Sequence, residues 1–104
     1  MSQDQDQDQD ARPIAIHDRP ERERYELDAG GAVAAIIDYR LRGQRIALLH
    51  TEVQPEHEGG GLGTQLARHA LDDARRRGLK VVPSCSFIAA YVRRHPQYQD
   101  LVAD

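Results

Sequence analysis

Val53-Gln54-Pro55-Glu56-His57-Glu58-Gly59-Gly60-Gly61-Leu62-Gly63 decides how the rest of this 104-residue sequence is read. The glycines at 59, 60, 61 and 63 allow a sharp turn and leave peptide N–H groups uncovered. The residues before the run read as a strand ending His50-Thr51-Glu52-Val53, and those after it as a helix from Leu62 to Arg77. The first turn of a helix has unpaired N–H donors and about half a positive charge, which suits phosphate. Gly59, Gly60, Gly61 and Gly63 are therefore candidates for an anion cradle. This is not a nucleotide P-loop, because the Lys-Ser/Thr ending is missing, and no dinucleotide-binding pattern comes after it.

Working upstream, Val33, Ala35, Ile37, Tyr39 and Leu41 alternate with Ala34, Ile36, Asp38 and Arg40, the pattern of a strand. Gly43-Gln44 fits a two-residue hairpin turn into a partner strand, Arg45 to Val53. That turn predicts the pairs Leu41 with Ile46, Tyr39 with Leu48, Ile37 with His50 and Ala35 with Glu52. His50 and Glu52 then share one face of a strand that runs into the glycine loop. Asp28 to Gly31 is a turn, and Tyr25 and Leu27 mark a half-exposed strand before it. Ile14 and Ile16 predict a short edge strand, whereas 17–24 is too charged and Pro-interrupted for core.

Downstream, Leu62, Leu66, Ala67, Ala70, Leu71 and Ala74 form one apolar helical stripe. Asp72 with Arg76 and Asp73 with Arg77 are i,i+4 pairs, Arg75 to Arg77 suit a solvated C-terminus, and Gly78 is the stop. Leu79 to Val82 is a short strand, so the crossover predicts parallel pairing of 46–53 with 79–83, cut at Pro83. Ser84 or Ser86 caps a second helix, Phe87 to Arg94, with Phe87, Ile88, Tyr91 and Val92 inward. Tyr98, Leu101 and Val102 fold back after Pro96. The expected fold class is α+β: a mixed sheet of antiparallel N-terminal strands, a parallel β-α-β crossover and a short C-terminal helix.

Composition narrows the function. Net charge is −3, and Asp4, Asp6, Asp8 and Asp10 supply four of those negatives, so the remainder carries +1. That balance argues against nucleic acid as a partner held by bulk positive charge. Cys85, the single cysteine, excludes an intrachain disulfide and fits a reducing compartment. No apolar run approaches the roughly 20 residues of a membrane span, and the start lacks a secretory pattern. The expectation is a cytoplasmic protein with a disordered polar tail over 1–12 and one domain over 13–104. The histidines show no metal-ligand spacing, so no metal is expected.

Taken together, Val53-x-Pro55-Glu56-x-x-Gly59-x-Gly61-Leu62-Gly63, the helix ending at Gly78, the strand after it and the helix with Ala89 and Tyr91 resemble the GNAT superfamily of N-acetyltransferases. His50-Thr51-Glu52-Val53, Pro83-x-Cys85 and Ala89-Ala90-Tyr91-Val92-Arg93-Arg94-His95-Pro96-x-Tyr98 look like its short, single-domain YjdJ-type branch. The resemblance spans roughly residues 13–102. It implies acetyl-coenzyme A (acetyl-CoA) as cosubstrate and a small-molecule or protein amine as acceptor. The loop from Gly59 to Thr64 would hold the pyrophosphate, and the Val53 backbone would pair with pantetheine where strands 46–53 and 79–85 splay. One departure is Glu58, where the superfamily usually has Gln or Arg, so Glu58 is expected to face outward. The N-terminal helices of larger relatives are missing, so the acceptor surface is expected to be open or completed by a partner.

Acetyl transfer needs a neutral amine, and a lysine with pKa ~10.4 is neutral in only about one molecule in ~2,500 at pH 7. Glu52 is the candidate general base, against the plain reading of a surface or arginine-paired carboxylate. His50 positions a water or the acceptor, or is an ordinary strand histidine. Cys85, at a helix start, accepts the acetyl group, binds the acceptor, or fills space. Tyr91 matches the superfamily tyrosine that protonates the departing thiolate, or packs in the core. The alternative function is a non-catalytic module that binds or senses acyl-CoA.

Overall fold

The computed structural model describes residues 13–103; the polar tail expected over 1–12 lies outside them. Strands β1 (Ile14–Arg19), β2 (Arg24–Ala29), β3 (Ala32–Arg42) and β4 (Arg45–Val53) form an antiparallel meander. Helix α1 (Leu62–Arg76) crosses back to β5 (Lys80–Pro83), which joins β4 in parallel and completes the order β1-β2-β3-β4-β5. Helix α2 (Ser86–Arg94) comes next, then a 3-10 turn over Pro96–Leu101, and Val102 bridges back to Val81. The α+β architecture is the expected one, with both hairpin turns and the Gly78 stop, whose φ is +71°.

Three details differ from the sequence expectation, each for a physical reason. β1 runs through His17, Asp18 and Arg19 because those charges find partners. The Tyr39 hydroxyl donates to Asp18 at 2.6 Å, and Arg19 Nε donates to Glu26 at 3.3 Å. The helix-end arginines are ion-paired as well as solvated: Arg77 binds Asp73 as expected, but Arg76 also binds Asp73, Arg75 binds Asp100, and Arg77 reaches Asp18. Asp72 accepts from the Tyr98 hydroxyl at 2.7 Å, so its expected pairing with Arg76 is replaced.

The third difference concerns register. Tyr39 pairs with Leu48, but Asp38 pairs with His50, Ile37 with Thr51, Ile36 with Glu52 and Ala35 with Val53. Leu49 is an extra residue, a β-bulge, and every later side chain of β4 turns to the opposite face. Thr51 and Val53 now share the α1 side with Ile37 and Ala35. His50 and Glu52 lie on the other face with Asp38 and Ile36. A similar shift leaves Ala34 out of the β2–β3 pairing, and its carbonyl accepts from Gln54 N at 2.8 Å.

The core lies between the sheet and α1 and is filled by Leu27, Ile37, Ile46, Leu48, Leu66, Leu71 and their neighbours, together with all four tyrosines. Buried tyrosines need a partner for the hydroxyl. Tyr25 donates to Asp73 at 2.7 Å, which with burial raises its pKa well above the usual phenol range. Burial and the Asp72 bond push Tyr98 up to about 12. Burial alone would raise the carboxyls of Glu26 and Asp73. Bonds from Arg22 and Arg19 to Glu26, and from Tyr25, Arg77 and Arg76 to Asp73, outweigh it and hold both below the ordinary range.

Tyr25→Phe keeps the ring and removes one donor to Asp73, so unfolding in urea is expected to cost about 1–2 kcal/mol less. Because Glu26 and Asp73 have depressed folded pKa values, the stability they supply is complete above the unfolded value of about 4 and is lost as pH falls through the lower folded values. The urea midpoint should therefore drop below about pH 4; a midpoint that stays flat into stronger acid contradicts this.

Candidate functional site

Beyond β4 the chain makes a 3-10 turn over Pro55–His57, closed by Glu58 N donating to Pro55 O at 3.2 Å. Gly60 N donates to His57 O at 3.3 Å. Gly59 and Gly61 have φ of +86° and +77°, the left-handed region that glycine enters without strain. Gly61 caps α1 with no side-chain hydrogen bond. Among the described residues, nothing accepts from the N–H groups of Gly59, Gly61, Leu62, Gly63 and Thr64. Of the six N–H groups from Gly59 to Thr64, five are thus left without an acceptor and Gly60 is engaged in its own turn.

These donors border a groove of about 360 Å³ that is also lined by Thr51, Val53, His57, Glu58 and Phe87. A Cβ on Gly63 would lie 3.3 Å from the Phe87 ring and 3.4 Å from Val53 Cγ2, so glycine here lets β4, α1 and α2 converge. Phe87, expected inward, is 39% exposed and forms a groove wall. Its i,i+4 spacing from Tyr91 matches a core position, so periodicity alone misplaces it. Glu58, expected outward, is exposed but borders the groove.

The strands part as expected. β5 pairs with β4 only over Arg45–Leu48, and Cys85 N donates to Leu48 O at 2.9 Å as the last link. Leu49–Val53 continue with no backbone partner from β5 among the described residues, and Thr51 meets the Cys85 thiol on that side. Cys85 sits at this fork as the N-cap residue of α2, its Sγ 3.5 Å from Thr51 Oγ1. Burial pushes the thiol pKa up, but the hydrogen bonds of Thr51 and of the Ile88 and Phe87 backbone outweigh it and leave the thiol below its ordinary value.

The bulge places His50 and Glu52 on the sheet face away from α1. His50 Nε2 lies 3.2 Å from Glu52 Oε1, and both side chains are 58% exposed. Glu52 borders a second depression, of about 460 Å³, with Arg24, Ile36 and Asp38. β4 beyond its bulge therefore has the groove on one side and this depression on the other. Tyr91 belongs to neither. It is 7% exposed, stacks on His95 at 3.9 Å between ring centroids, and accepts from His95 Nδ1 at its carbonyl. No cluster of three metal-ligating side chains exists among the described residues, and no helix there is long and apolar enough to cross a membrane.

The sequence model of a family described as GCN5-related N-acetyl-transferase matches residues 24–101. Streptothricin acetyltransferase of Streptomyces lavendulae is 40% identical over 63 residues, covering 59% of this chain and 33% of that protein. The chain thus spans about a third of that curated relative's length. A GCN5-like protein of Staphylococcus aureus has the same fold, with a TM-score of 0.66 and 28% identity over 86% of this chain and 87% of that one. PaiA N-acetyltransferase of Thermoplasma acidophilum, solved with coenzyme A (CoA), shares the fold at a TM-score of 0.52 and 17% identity, covering 68% of this chain and 48% of that one. With three quarters of its length inside the family match, this chain belongs to the GCN5-related N-acetyltransferases.

Proposed function

We propose that the protein transfers an acetyl group from acetyl-CoA to an amine. The observation that carries this reading is the set of five unpaired peptide N–H groups, at Gly59, Gly61, Leu62, Gly63 and Thr64, at the mouth of the fork where β4 leaves β5. Aligned donors at a helix N-terminus suit a diphosphate. An unpaired strand edge suits the two amides of a pantetheine arm, with Val53 the residue of that edge nearest the glycine loop. The groove volume and its Phe87 wall suit the arm's apolar portion. The loop presents no fixed cation, so the backbone does most of the phosphate binding, with Glu58 opposing it.

Acetyl-CoA supplies a thioester: a neutral amine attacks its carbonyl, the C–N bond forms as the C–S bond breaks, and CoA leaves as a thiolate that takes the second amine proton through solvent. The acceptor approaches from the Glu52 side of β4, and Glu52 removes the proton from its ammonium while His50 orients the carboxylate. Cys85, bonded to Thr51 at the fork, takes the acetyl group, binds the acceptor or packs beside them. Tyr91 has no contact with either depression, so the geometry adds nothing to its reading as proton donor.

Saturating acetyl-CoA should stabilise the fold by about 2.7 kcal/mol at a hundredfold excess over Kd, seen as a rise in melting temperature. Gly61→Val, which forces a β-branched residue to φ +77°, should abolish the rise; an unchanged affinity would put the diphosphate elsewhere. Thiol release with an amine panel separates transfer from mere binding. Glu52→Gln should lower turnover by ~10²- to 10⁴-fold while the melting shift persists, and undiminished turnover would return Glu52 to a surface role. Alkylation of Cys85 should have its pH midpoint below the ordinary thiol value of about 8.5, and Thr51→Val should move it upward. Identical midpoints would show that Thr51 does not tune the thiol.

A further inference from the structure

The sheet face away from α1 has two rungs that run straight across three strands. Arg24 pairs with Asp38 and Asp38 with His50; Glu26 pairs with Ile36 and Ile36 with Glu52. Directly paired residues project on the same face, and neighbouring strands lie about 4.8 Å apart. The β2 side chains and Glu52 therefore stand about 10 Å apart across Ile36 at the backbone, on opposite sides of the 460 Å³ depression.

The two sides differ in charge. On the β2 side Glu26 is only 3% exposed, and its two oxygens accept separately from Arg19 Nε at 3.3 Å and Arg22 Nη1 at 2.9 Å. Its charge is neutralised, and it serves as a fixed post for Arg22. Asp38 likewise accepts from Arg24 Nε at 3.1 Å. The other N–H groups of Arg22 and Arg24 have no acceptor among the described residues. On the β4 side Glu52 has His50 alone. The depression thus has guanidinium donors at one end, the Glu52 carboxylate at the other, and Ile36 with the Arg24-bound Asp38 between them.

We infer that the acceptor is an amine carrying a carboxylate or comparable anion a few bonds from its nitrogen, the ammonium meeting Glu52 and the anion meeting Arg24 and Arg22. This rests on the reading of Glu52 as the base. A polyamine gives the guanidinium groups nothing to bind and places a second cation beside them. A simple alkylamine leaves them unmatched. An amino acid or other zwitterion satisfies both ends, and planar guanidinium groups are well formed for carboxylates.

The test uses amide spectra of the ¹⁵N-labelled protein saturated with CoA, titrated with 6-aminohexanoate and with pentylamine, which lacks the carboxylate. Expected are shifts of the Ile36, Asp38 and Glu52 amides, with 6-aminohexanoate bound about tenfold more tightly. Arg24→Gln and Arg22→Gln should each bring the two probes within about threefold of each other, while CoA-induced shifts at residues 59–64 persist. Equal affinities in the unmodified protein, or shifts away from those three amides, overturn the acceptor assignment and leave the coenzyme reading standing. Absence of CoA-induced shifts at 59–64 overturns the coenzyme reading, and the acceptor assignment falls with it.

Discussion

Leu49 has no partner on β3, and that one extra residue sets the arrangement of the site. Strict alternation along β4 would turn His50 and Glu52 beneath α1, against Ile37 and Ala35. Burying a carboxylate and an imidazole there without compensating bonds would cost several kcal/mol. The bulge reverses the parity after Leu48. Ile46 and Leu48 stay in the core, Thr51 and Val53 take the groove side, and the ionisable pair faces outward. A bulge beside a functional site re-aims side chains, and here it divides one strand between two depressions.

The second constraint is the short reach of β5. Pro83 has no N–H to offer, and the last link to β4 comes from Cys85 instead. Past that link β4 presents a bare strand edge, ordinarily a site of unwanted pairing. In this molecule the edge is only five residues long and lies in a cleft bounded by the glycine loop and α2. Gly63 sets the width of that cleft, since any side chain there would press on Phe87 and Val53. Strand edge, helix terminus and aromatic wall thus meet because four positions along the chain carry the right residue: Leu49, Gly61, Gly63 and Pro83.

The elements were legible from sequence because their signals are local. Alternation over 33–41, the stripe from Leu62 to Ala74 and the turn glycines each report on a few consecutive residues. Gly43 set the β3–β4 register correctly as far as Leu48. The bulge escaped because hydrophobic alternation cannot tell a slip of one residue from a polar face, although two adjacent leucines just before His50 and Glu52 were the available clue. Within the candidate site, the fork and the cradle were visible in Pro83 and the glycines. The withdrawal of Gly60 into a turn was not, since that depends on backbone angles. Phe87 was hidden by its neighbours' periodicity. The guanidinium wall was hidden more deeply, because Arg22, Arg24 and Glu52 meet only through three-strand pairing.

A crystal structure of the protein with CoA tests the central claim most directly. Diphosphate oxygens should lie about 2.7–3.2 Å from the backbone nitrogens of Gly59 and of residues 61 to 64, while Gly60 keeps its bond to His57 and the strand edge after Leu48 receives the pantetheine. A diphosphate held elsewhere by side chains, or a β4–β5 ladder that closes past Leu48, would contradict it.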